Sequence, residues 1–119
     1  MTQIIKVRAY HPEEKKMYCV DLSEYMAASE YAQDELMPHE ARKNGLMLFT
    51  GLLDKNGKEI YESDIVQYYD NPHWVEFYAG CFVIKRKDHE KWYGVGSFGG
   101  AANQYEVIGN VWENPELLK

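Results

Sequence analysis

Leu48-Phe-Thr-Gly-Leu-Leu-Asp-Lys-Asn-Gly-Lys-Glu-Ile-Tyr-Glu-Ser-Asp-Ile-Val66 is the stretch that decides the fold, because it writes two hairpin corners into nineteen residues. Asp54-Lys55-Asn56-Gly57 supplies the residue types that accept the positive φ of a tight turn, and apolar runs flank it on both sides. Downstream, Ile65 to Tyr69, Trp74 to Ala79, Cys81 to Lys87, Trp92 to Gly96 and Tyr105 to Trp112 are short, aromatic and β-branched. Asn71-Pro72, Gly80 and a glycine-rich stretch separate them. Such spacing predicts a small antiparallel barrel or sandwich, SH3-like in size, over residues 46–119. Gly109 falls inside the last strand pattern, where a missing side chain marks a bulge or the close approach of another backbone.

Upstream, Ile5, Val7 and Ala9 alternate with Lys6 and Arg8, as a half-buried strand requires. His11-Pro12-Glu13-Glu14 turns the chain and Lys16 to Leu22 returns it, so residues 1–22 read as a hairpin. Residues 23–45 change texture. Ser23 is placed to cap a helix, Tyr25, Ala28, Ala32 and Leu36 recur at helical spacing, and Pro38 interrupts them, which predicts one or two short helices. The whole reads as a mainly β domain with a helical insertion after its first hairpin. With no internal repeat and no Pro- or Ser-rich linker, residues 1–119 are expected to form one domain.

Composition sets the boundaries of function. A 119-residue chain buries roughly two-thirds of its unfolded surface without needing disulfides or metals. Its formal net charge of -6 favours solubility and opposes nonspecific attraction to nucleic acid or anionic membranes. Cys19 and Cys81 form no metal-type pair and read as small buried hydrophobes in a reducing compartment. The opening Met1-Thr-Gln-Ile-Ile-Lys-Val-Arg has an apolar run of two residues, so neither a signal peptide nor a membrane anchor is expected, and the protein is expected in the cytoplasm.

Motifs with chemistry are weak. Gly94-Val-Gly-Ser-Phe-Gly99 matches the dinucleotide pattern in letters, yet too little chain follows for the helix and βαβ unit that the mechanism needs. His11, His39, His73 and His89 have no ligand spacing and read as surface histidines. Asp54, Asn56 and Gly57 fail the calcium-loop pattern, and no serine or cysteine has a nucleophile's context. No catalytic residue, cofactor or metal site is expected. Basic and aromatic residues interleave at Lys85, Arg86, Lys87, Lys91, Trp92 and Tyr93, as phosphate neutralisation with base stacking requires. The competing reading makes Lys85 and Lys87 the solvent face of a strand and Trp92 a core plug. Ten tyrosines suit half-wet contact surfaces, and they suit an ordinary aromatic core equally.

Thr50-Gly-Leu-Leu-Asp-Lys-Asn-Gly-Lys-Glu-Ile-Tyr-Glu-Ser-Asp-Ile-Val66, Val107-Ile-Gly-Asn-Val-Trp-Glu-Asn-Pro-Glu-Leu-Leu118 and Lys6-Val-Arg-Ala-Tyr10 together resemble the YopX family of small phage and prophage proteins. The chain departs from the family pattern at Ser63, where glycine is usual, at Leu53, where lysine is common, and at Tyr10-His11, where Trp-Asp is usual. These look like surface or turn changes. The resemblance implies a β-rich fold with a barrel-like C-terminal part and a helical element in the N-terminal third, and it carries no established activity or catalytic residue. Two functional expectations follow. The first is a non-catalytic module that binds a host or phage protein or assembles with itself. The second is a single-stranded DNA or RNA binder that uses the basic-aromatic loop within residues 85–93.

Overall fold

The computed structural model describes residues 5–87, the backbone of 89–94, and 104–119. Its contacts gather into two compact units, Met1–Phe49 and Thr50–Lys119, each with a core of its own. The two β-rich stretches read from sequence as one domain because no linker composition separates them. The division falls inside a strand, between Phe49 and Thr50.

In the first unit, β1 (Lys6–His11) and β2 (Lys16–Asp21) form the expected hairpin, in register from Lys6↔Asp21 to His11↔Lys16. The opening residues of β3 (Met47–Leu53) pair with the other edge of β1 through Val7↔Leu48 and Arg8↔Met47. β1 is therefore central and covered on both faces: Val7 and Ala9 are buried, and so are Arg8, Tyr10 and His11. The alternation of apolar and basic residues had suggested one wet face, and the Tyr10-His11 departure had looked superficial.

Three short helices occupy the insertion rather than one or two: α1 (Leu22–Ala27), α2 (Glu30–Leu36) and α3 (His39–Arg42). Asp21, not Ser23, caps α1, its carboxylate accepting from the Ser23 N–H at 2.8 Å. Ser29 caps α2 through its hydroxyl oxygen. Pro38 stops α2 and opens α3, as a residue with fixed φ and no N–H does. Met37 and Ala41 pack with Val7, Ala9 and Val20, and Arg42 links α3 to Asp34 of α2 and to the Tyr25 hydroxyl.

In the second unit, the remainder of β3 lies beside β4 (Glu59–Tyr61). Five further strands form one antiparallel sheet, a half-barrel: β5 (Asp64–Tyr68), β6 (Asn71–Tyr78), β7 (Cys81–Arg86), β8 (His89–Gly94) and β9 (Glu106–Asn110), in the order β8-β7-β6-β5-β9. A 3-10 helix, Pro115–Leu118, ends the chain. Ile60, Val66, Val75, Ile84 and Tyr105 make the core, with Leu52, Tyr68 and Val107 around them. The expected mainly β architecture with a helical insertion is the one found.

The turns carry the detail. At the Asp54–Gly57 corner, the Gly57 N–H donates to the Asp54 carbonyl at 3.0 Å, and Gly57 has φ +82, so the turn needs a residue without a Cβ there. Gly51 stands inside β3 rather than in a turn. The β5–β6 turn is Tyr69-Asp70, both at positive φ (49° and 62°), and not Asn71-Pro72, which begins β6. A two-residue loop with both residues in this region matches the strand twist. Ala79-Gly80 repeats that geometry between β6 and β7. At Gly109 the sheet does bulge. Ile65 pairs with Gly109 and Val66 with Val107, leaving Ile108 extra on β9. The close neighbour is the Asn114 side chain rather than another backbone: a Cβ on Gly109 would lie 2.5 Å from Asn114 Oδ1.

Candidate functional site

The basic-aromatic stretch is not a loop. Lys85 and Arg86 belong to β7, Lys87 follows it, and Lys91, Trp92 and Tyr93 belong to β8. Tyr93 pairs in register with Ile84 and Trp92 with Lys85, whereas Arg86 pairs with His89. Lys91 thus sits in an irregularity where β8 holds two residues more than β7. The expected Trp92 to Gly96 strand begins earlier, at His89, and its last two residues lie outside the described residues, as does the glycine-rich motif beyond Gly94.

Strand alternation sends Lys85 and Arg86 to opposite faces of β7, and Lys87 lies just beyond the strand. Lys85 is three-quarters buried, with Nζ 2.6 Å from Glu76 Oε2 and 4.4 Å from the centre of the Tyr78 ring. Arg86 and Lys87 instead line a cleft of about 250 Å3 with Asn71, Pro72, Leu118 and Lys119. Sequence spacing could not have found Lys119, which reaches the cleft through the C-terminal 3-10 helix.

At the far end of β6 the chain builds an aromatic tip that the sequence reading did not single out as a unit. Phe77 and Tyr78 are about half exposed, at 48% and 46%. The Phe77 and Phe82 rings meet edge to face, 5.0 Å apart, across the β6–β7 ladder. Lys85 lies over Tyr78, and the Cys81 thiol donates weakly to the Tyr78 carbonyl at 3.6 Å. Neither Cys19 nor Cys81 is in a disulfide and both are exposed, against the expectation of burial: Cys19 stands on the outward side of β2, and Cys81 opens β7 directly after its hairpin turn.

The groups with displaced ionisation serve the fold. Burial works against the Asp54 charge, but N–H donors from Val107, Lys58 and Asn56, with the Lys58 ammonium, hold its carboxyl below the usual aspartate range. Burial, with the neighbouring Tyr68, pushes the Tyr105 hydroxyl up to about 12. The histidines differ from expectation in two cases. His11 and His73 are buried; Glu14 holds His11 through its N–H to Nδ1 and its carboxylate at Nε2, while His73 Nδ1 meets the Asn71 carbonyl at 2.9 Å. Among the described residues no group of three His, Cys, Asp or Glu side chains gathers as a metal would require. No helix among them is long and apolar enough to cross a membrane.

The blocks that shape these corners also identify the lineage, since the YopX protein family matches residues 6–119. The chain belongs to the YopX family. It is also similar to a solved structure, that of protein EF1440 from Enterococcus faecalis, at 27% sequence identity and a TM-score of 0.61, over 99% of this chain and 100% of that one. No curated protein matches the sequence. Within this YopX chain, Ser63 stands where the family pattern has glycine, and its φ of +70 explains the preference: the position is left-handed.

Proposed function

We propose that this YopX protein is a non-catalytic module that acts in the bacterial cytoplasm by binding a protein, a second copy of itself first among the candidates. The observation that carries this reading is the β6–β7 tip, where the Phe77 and Phe82 rings meet on one face, Tyr78 stands on the other under Lys85, and Phe77 and Tyr78 are each about half exposed. Short hairpins with rigid aromatic tips bury large apolar area at small entropic cost, which makes such residues the anchors of interfaces. The Asp54 carboxylate and the neutral Tyr105 phenol, the groups of displaced ionisation in the second unit, are engaged in holding the fold, which favours binding over acid-base chemistry. A phage or prophage origin agrees with the family resemblance and fits a small accessory protein.

The two exposed cysteines provide the test. A photoreactive maleimide on Cys81, in a Cys19→Ser background, places the label at the tip, and the same label on Cys19 with Cys81→Ser is the control. Crosslinked dimers or heterodimers are expected from Cys81 and not from Cys19. Equal yields from both positions, or none from either, would contradict the reading.

A further inference from the structure

Where β6 begins and β7 ends, their ladder opens. The register pairs Trp74 with Lys85 as its last step in this direction. Continued by two residues it would set Pro72 opposite Lys87, and proline has no N–H to offer. The C-terminal 3-10 helix packs along β6 and brings Leu118 and Lys119 to the gap. The resulting cleft of about 250 Å3 has apolar walls at Pro72 and Leu118 and a cationic rim at Arg86, Lys87 and Lys119. Half of its lining residues are positive, on a chain whose formal net charge is -6.

We infer that this cleft is an anion site that takes a phosphate group, a role separate from the protein-binding reading of the opposite end of β6. Lys87 and Lys119 are exposed and form no ion pair among the described residues, unlike Lys85 with Glu76 and Lys55 with Glu106. Lys87 and Lys119 bring two side-chain ammonium groups to one small cleft, and a bound anion would offset their mutual repulsion. Arg86 is half-buried and has an interaction of its own within the fold, so it would contribute the part of its planar fork that this interaction leaves open, a shape that suits phosphate oxygens. Two mobile ammonium groups complete a tetrahedral anion's demand for several donors. The apolar walls leave room for a small substituent on the phosphate, so a phosphate monoester or the terminal phosphate of a nucleic-acid strand shares the required chemistry.

Isotope-labelled protein titrated with inorganic phosphate, at an ionic strength held constant with chloride, tests the site. Saturable shifts are expected at the amides of Asn71, Arg86 and Lys87, and Lys87→Ala/Lys119→Ala should weaken binding roughly tenfold or more, as loss of two charged donors implies. Both side chains are exposed, so the variant keeps the parent melting temperature. No saturable response, an equal response to chloride, or unchanged affinity in the variant would overturn the proposal. A second arm compares a short oligothymidylate with and without a 5′-phosphate. Tighter binding of the phosphorylated strand, lost in the variant, would assign the phosphate to a nucleic-acid end. Response to inorganic phosphate alone would assign it to a small ligand.

Discussion

Three residues show how local chemistry holds the second unit together. Ser63 occupies the left-handed region at φ +70, with its N–H donated to the Val75 carbonyl and its own carbonyl accepting from Val111, so the backbone cannot relax away from it. Ser63→Gly removes the Cβ clash and is expected to stabilise the protein by about 0.5–1 kcal/mol in urea unfolding. Asp54 joins its turn to a strand 53 residues away: Oδ1 accepts from Asn56 and Lys58, and Oδ2 accepts from Val107 at 2.9 Å. An amide of the same shape cannot accept at both ends, so Asp54→Asn should cost about 1–3 kcal/mol. Because folding lowers the Asp54 pKa, its contribution is complete above the ordinary aspartate value and is lost as pH falls through the folded value. The stability difference between parent and Asp54→Asn should therefore shrink in acid, as unfolding curves at falling pH would show. Tyr105 has the opposite sign. Its pKa rises from 10.0 to about 12, so its contribution is complete below 10.0 and is lost as pH climbs toward about 12. Tyr105→Phe should flatten that alkaline loss. The turn at Asp54 was readable because its residue types are local, whereas its grip on Val107 was not, since no spacing in the sequence connects the two.

Among the elements, β9 is where sequence and structure agree on a feature for different reasons. Gly109 predicted a bulge, and Ile108 is the residue left over; what excludes a side chain is Asn114, folded back so that its Oδ1 accepts from the Asn110 N–H at 3.2 Å. Asn110 in turn accepts from the N–H groups of Trp112 and Glu113, which makes Asn110 to Asn114 a self-contained corner. Gly109→Ala should cost about 1–3 kcal/mol by thermal or urea unfolding. The cost should fall in an Asn114→Ala background, since the two residues are in contact and their effects couple. The β5–β6 turn was not legible. Asn71-Pro72 is the stronger turn signal in isolation, yet Tyr69-Asp70 adopts the two positive φ angles, because strand pairing from Ile65↔Trp74 to Tyr68↔Asn71 leaves two residues to close the hairpin. Tertiary register overrode residue preference there. The basic run divides for a reason that spacing does not show: Lys85 is taken up by Glu76 and Tyr78, Arg86 points to the other face of β7, and Lys87 lies past the end of the strand, beside Arg86 at the cleft.

For the whole molecule, the sequence announced a mainly β chain with an early helical segment, and blocks at its start, middle and end carried the YopX resemblance that the family match bears out. Two separate cores were hidden because β3 runs across the division without any linker-like residues. The proposed contact surface was hidden for another reason. Tyrosine content alone cannot sort aromatics: Tyr10, Tyr61 and Tyr105 are buried, whereas Tyr78 and Phe77 stand half exposed at a hairpin tip. The claim that this tip is the binding surface is tested most directly by light scattering over a range of concentrations on the parent protein and on Phe77→Ser/Tyr78→Ser. The account predicts a parent mass that rises above the monomer with concentration and a folded variant that stays monomeric. A parent that remains monomeric throughout, or a variant that associates equally well, would contradict it.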